Sequence, residues 1–112
     1  MDATKLKEEH PELADTIDKL AGTHDELAAH STPCGVALFR KPTRPEYKRH
    51  LSLLFNEKTR ADALETIARA CVVHPDKETF GKWLDAKPGI MVSCADVLTT
   101  LAGGAKEEDE GK

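Results

Sequence analysis

The sequence predicts a mainly α-helical fold: a compact bundle of short helices with one short strand and an appended N-terminal helix. Three observations lead there. Apolar residues recur at helical spacing in five stretches, Pro and Gly punctuate the gaps between them, and Val36-Ala-Leu-Phe39 is the best strand candidate. With 112 residues the chain builds one hydrophobic core rather than two. Aromatic residues are 4% of the total, so that core must come mainly from Leu, Ile, Val and Ala.

A helical pattern covers residues 3–21, where Leu6, Leu13, Ile17 and Leu20 fall on one stripe. Pro11 would remove a hydrogen bond inside that helix. The continuous helix therefore starts near Pro11, with residues 1–10 frayed or forming a separate turn. Gly22 is a natural stop, and a short turn over 24–30 precedes the break at Ser31-Thr-Pro-Cys-Gly35. Val36–Phe39 comes next as the strand, and Cys71-Val-Val73 is a second, weaker candidate. A lone strand leaves its backbone groups unpaired, so it needs a partner: another segment, a second copy, or a different protein.

The next helix, from Thr43 to about Asn56, has a marked start. Thr43 and Glu46 have capping-box spacing, and Pro45 sits in the first turn where its missing N–H is harmless. Tyr47, Leu51, Leu54 and Phe55 form its expected core stripe. A helix over 59–72 turns Ala61, Leu64, Ile67, Ala68 and Cys71 inward. Asp76 caps a helix bearing Phe80, Trp83 and Leu84, with Trp83 read as core. Lys87-Pro-Gly89 turns into a last helix over 90–102, which points Ile90, Val97, Leu98 and Leu101 inward. The expected organisation is an acidic helical segment over 1–34, a helical core domain over 35–102, and a disordered acidic tail over 103–112.

Little of this is chemistry. The five His and three Cys form no HExxH, no CxxC and no zinc-finger spacing, so no metal or other cofactor is expected. Cys34 alone lies in a loop, with nothing to orient a base toward it, and Cys71 and Cys94 read as buried, reduced thiols. No phosphate-binding glycine loop and no GxSxG occurs, and the expectation is that the protein is not an enzyme. No apolar run is long enough to span a bilayer, and the first residues lack a secretory h-region, which points to the cytoplasm.

The net charge of −4 conceals a segregation. Residues 1–30 sum to −5, residues 31–60 to +5, and Glu107-Glu-Asp-Glu110 is acidic again. Arg40, Lys41, Arg44, Lys48 and Arg49 could form a patch for a nucleic acid. A chain acidic overall and without a helix-turn-helix favours a solvated face or a dock for an acidic protein surface. A small nucleic-acid-binding regulator is the third-ranked reading.

Taken together, Phe39-Arg-Lys-Pro-Thr-Arg-Pro-Glu-Tyr47, the alanine-rich helix after it, Ala70-Cys-Val-Val-His-Pro-Asp76 and Lys87-Pro-Gly-Ile90 resemble tail assembly chaperones of tailed bacteriophages, over about residues 35–102. Those small proteins carry a Phe-Arg-x-Pro-Thr-x-x-Glu junction, a later Cys-x-x-x-Pro-Asp segment and a Pro-Gly turn before a last helix. The resemblance implies a non-enzymatic protein of the host cytoplasm that binds the tape-measure protein and other tail proteins and assists tail-tube assembly. It also implies absence from the finished virion. The alternative is a structural virion protein, such as a head–tail connector or tail completion subunit. For contacts with partners or with a second copy, the residues singled out are Val36, Leu38 and Phe39 on the strand, and Arg40, Arg44 and Arg49 for charge steering.

Overall fold

The computed structural model describes residues 3–24 and 26–103, so the acidic tail expected to be disordered lies, beyond Gly103, outside the described residues. Its elements run α1 (Ala3–Glu9), a 3-10 turn (Pro11–Leu13), α2 (Ala14–Ala21), β1 (Leu27–Thr32), β2 (Gly35–Arg40), α3 (Arg44–Leu54), α4 (Arg60–Cys71), β3 (Val72–His74), α5 (Lys77–Ala86) and α6 (Ile90–Leu101). The mainly helical class holds. The single strand does not: three strands form an antiparallel sheet in the order β1-β2-β3.

β1 occupies the segment expected to be a short turn and lies within the span expected to be helical. Ala28 and Ala29 have weak strand preference, so β1 exists because β2 pairs with it along its whole length, from Leu27↔Arg40 to Thr32↔Gly35. Thr32 closes the hairpin. Its Oγ1 donates to the Gly35 carbonyl (2.7 Å) and accepts from the amides of Cys34 and Gly35 (both 3.1 Å). On the far side of β2, β3 pairs at Leu38↔His74 and Phe39↔Val72 with a register shift between them.

Alternation along the strands gives the sheet two covered faces. Ala37 and Phe39 of β2 and Val72 of β3 point into the larger core, with Ile67, Ala68 and Cys71 from α4, Phe80 and Leu84 from α5, and Ile90, Cys94, Ala95 and Leu98 from α6. Leu38 and Leu27 point the other way, onto Leu6 of α1 and Ile17 of α2, with Val36 and Val73 beside them. The N-terminal helices are therefore not an appendage; they are the second layer over the sheet. A 2.6 Å ion pair from Lys7 to Asp18 ties α1 to α2 across the break at Pro11.

The starts of α3 and α5 agree closely with the local signals, whereas residues 3–9, expected to be frayed or a separate turn, form α1, and the helix expected from Pro11 begins at Ala14 after a 3-10 turn. Thr43 accepts from the Glu46 amide (3.3 Å) while Glu46 Oε1 accepts from the Thr43 amide (2.9 Å), which completes the capping box. Asp76 caps α5 by accepting from the Thr79 amide at 2.8 Å. The expected core stripe of α3 is wrong in detail. Tyr47, Leu51 and Leu54 are half-buried and Phe55 is 75% exposed, whereas His50 is the fully buried residue. The reason is position: α3 packs mainly on α4 at the periphery, and His50 Nδ1 donates to the Ala63 carbonyl there (3.2 Å). On α4, Ala61 is likewise exposed and Ala63 takes the buried place.

Gly35 is required by its backbone and by its neighbour. Its φ is +147°, and a Cβ there would sit 3.0 Å from Cη2 of Trp83. Trp83 is half-buried against the larger core, as read from the sequence. Gly35→Ala is expected to lower stability by about 1–3 kcal/mol, measured by urea unfolding. A neutral result would mean that the indole moves aside without loss.

Candidate protein-binding face

The β2–α3 junction is where the basic residues gather. β2 ends at Arg40, Lys41-Pro42-Thr43 crosses over, and α3 begins at Arg44. Pro42 is buried and anchors the crossing, while Lys41 and Thr43 stay exposed. A shallow depression opens on each side of it. One, of about 370 Å³, is lined by Thr23, His24 and Glu26 from the segment before β1, and by Arg40 to Thr43. The other, of about 260 Å³, is lined by Lys41, Pro42, Thr43, Arg44, Tyr47, Lys48 and, from the end of α6, Ala102.

The cations here divide into two kinds. Arg40 is structural. Its guanidinium donates to both carboxylate oxygens of Glu46 (2.9 and 2.8 Å), to the Ala70 carbonyl at the end of α4 (2.9 Å) and to the Lys41 carbonyl (3.2 Å). That hydrogen bonding raises the Arg40 pKa, and it draws the Glu46 carboxyl down from the ordinary 4.5 to about 2. Lys41 makes an exposed 3.4 Å pair with Glu26, the one ion pair between the basic stretch and the acidic N-terminal third among the described residues. Arg44, Lys48 and Arg49 are exposed on α3, and none of them has an ion pair among the described residues.

Against the residues singled out from the sequence, the outcome is mixed. Leu38 and Phe39 are fully buried within the monomer, and Val36 is half-buried against the α1/α2 layer. The premise that their strand lacked a partner is corrected, because β2 is the central strand and pairs on both sides. Arg40 is engaged in holding the junction. Arg44 and Arg49 remain on the surface, joined by Lys41 and Lys48, which belong to the same basic cluster but were not among the contact residues. Lys48 lies four positions after Arg44, one helical turn, and that spacing was the available signal.

The remaining reactive groups are quiet. Burial pushes the Cys71 and Cys94 thiols up to about 11, so they stay protonated at neutral pH. Cys34 is half-buried at the hairpin turn. Among the described residues no group of three or more His, Cys, Asp or Glu side chains is gathered as a metal site, and no helix is long and apolar enough to cross a membrane.

No curated protein matches this chain. Among solved structures, the fold is similar to that of an uncharacterised protein, rbstp2171, from Bacillus stearothermophilus. The TM-score is 0.68 and the sequence identity 18%, and the match covers 79% of this chain and 92% of that one. At that identity the likeness is one of fold. The model of a family described as a domain of unknown function, DUF6848, matches residues 31–110, from the end of β1 through the basic junction to the acidic tail, and this chain belongs to that family.

Proposed function

We propose that this protein is a non-enzymatic assembly chaperone that holds a protein partner on the face built around Lys41, Arg44 and Lys48. The observation that carries the reading is the pair Arg44 and Lys48. Both are exposed on α3 without a carboxylate among the described residues, and both flank an open depression beside Tyr47. Such a site is too shallow to enclose a small substrate and is suited to the acidic face of a helix. The Arg40–Glu46 clasp holds the backbone at the start of α3, so the positions from which Arg44 and Lys48 project are fixed, and binding has to order only their side chains.

The resemblance of the Phe39–Tyr47, Ala70–Asp76 and Lys87–Ile90 segments to phage tail assembly chaperones names the partner: a tape-measure protein in the host cytoplasm, covered until tail tube forms around it. Co-expression with a candidate tape-measure protein, then pull-down and a solubility assay, tests this. The expected result is a soluble complex that weakens as salt rises. Arg44→Gln with Lys48→Gln is expected to weaken it about tenfold, or about 1.4 kcal/mol. A protein retained in purified virions would instead favour the connector alternative, and binding indifferent to both salt and these substitutions would overturn the reading.

A further inference from the structure

The end of α6 lies at the same face. Ala102 helps to line the depression formed by Lys41, Arg44, Tyr47 and Lys48, so the chain leaves the described fold on the rim of the basic site. Past this point the sequence reads Gly103-Gly-Ala-Lys-Glu107-Glu-Asp-Glu110-Gly-Lys112, with four consecutive carboxylates.

We infer that the acidic run Glu107–Glu110 of this same chain is the intramolecular ligand of the Lys41/Arg44/Lys48 face. Three facts converge on this occupant. The first is charge: the face carries two cations without a carboxylate partner among the described residues, and the run offers four anions. The second is reach. Glu107 lies four residues beyond Gly103, a span of up to about 14 Å for extended chain, and Ala102 already lines the depression. The third is concentration: a ligand tethered by so short a link is present at an effective concentration in the millimolar range. Surface ion pairs too weak to hold a free peptide can therefore occupy the site much of the time. The neighbouring depression is the poorer fit, because Glu26 already stands there beside Lys41.

The tail then acts as a self-mask. It covers the cations until a partner with more negative charge or a larger contact displaces it, and it discourages unspecific anions meanwhile. This regulatory consequence rests on the proposed function; the contact itself does not.

The test is amide NMR on the full chain, comparing wild type with a variant carrying E107Q, E108Q, D109N and E110Q. The expected result is shifts confined to the Lys41, Arg44, Tyr47, Lys48 and Ala102 region. At Arg44, Tyr47, Lys48 and Ala102 the response to raising NaCl from about 20 to about 500 mM should be larger in the wild type than in the variant, because screening releases the tail; Lys41 responds in both through its exposed pair with Glu26. The reciprocal variant, R44Q with K48Q, is expected to shift the amides of 107–110. Identical spectra at the face in both proteins would overturn the inference. So would shifts that grow with protein concentration, which would assign the tail to a second copy. Partner pull-down separates the two readings. Shifts at the face with partner binding unchanged by R44Q and K48Q leave the mask standing and remove the proposed function. Absent shifts with binding lost in R44Q and K48Q do the reverse.

Discussion

Phe39→Ala is expected to lower the unfolding free energy by about 3–5 kcal/mol, a large share of what a domain of this size possesses. Phe39 is fully buried near the C-terminal end of the central strand, in the larger core. Its ring meets Phe80 of α5 edge-to-face, with centroids 6.0 Å apart and planes at 83°. Truncation removes the ring's transfer free energy, leaves a cavity between sheet and helices, and deletes an aromatic pair worth about 1 kcal/mol more. Backbone pairing to both β1 and β3 leaves little room for the strand to collapse into the space. Urea unfolding should show a midpoint lower by about 2 M, and Phe39→Leu should recover most of it. A loss under about 1 kcal/mol would mean that this ring does not join the sheet to the helical layer.

The second large effect is expected at Arg40 and Glu46. Arg40→Ala removes a bidentate charge-assisted pair and leaves the Ala70 carbonyl at the end of α4 without its donor, for a loss of about 1.5–3 kcal/mol. The same clasp makes stability depend on pH. Glu46 has its carboxyl lowered to about 2 when folded, against an ordinary 4.5. Between those values the unfolded chain takes up a proton that the folded chain refuses. The contribution is therefore complete above about pH 5 and disappears as pH falls toward 2. The side chains are 22% and 30% exposed, so solvent screening reduces the linkage figure of about 3 kcal/mol to about 1–2 kcal/mol. Glu46→Gln should flatten this part of the acid limb in urea midpoints taken between about pH 5 and 2.5. An unchanged acid limb would assign it to other carboxylates.

What was legible in the residues was punctuation. Thr43, Pro45 and Glu46 mark the start of α3, Asp76 that of α5, and Pro88-Gly89 the turn into α6; each acts within one turn of itself, so sequence order is enough to read it. Of the candidate site, the exposed cations were legible for the same reason, since a charged residue on an amphipathic helix faces solvent wherever the helix packs.

Everything that depended on a partner far along the chain was decided by tertiary structure. Leu27–Thr32 becomes a strand because Gly35–Arg40 pairs with it, and two alanines could not announce that. Phe55 is exposed and His50 buried because α3 lies at the edge of the molecule, against α4, which its own periodicity does not encode. Arg40 ceases to be a steering charge because the Ala70 carbonyl, thirty residues away, comes within 2.9 Å. Local signals determined by themselves where α3, α5 and α6 begin; long-range pairing decided which segments form the sheet, which faces are covered, and which cations are left for a partner.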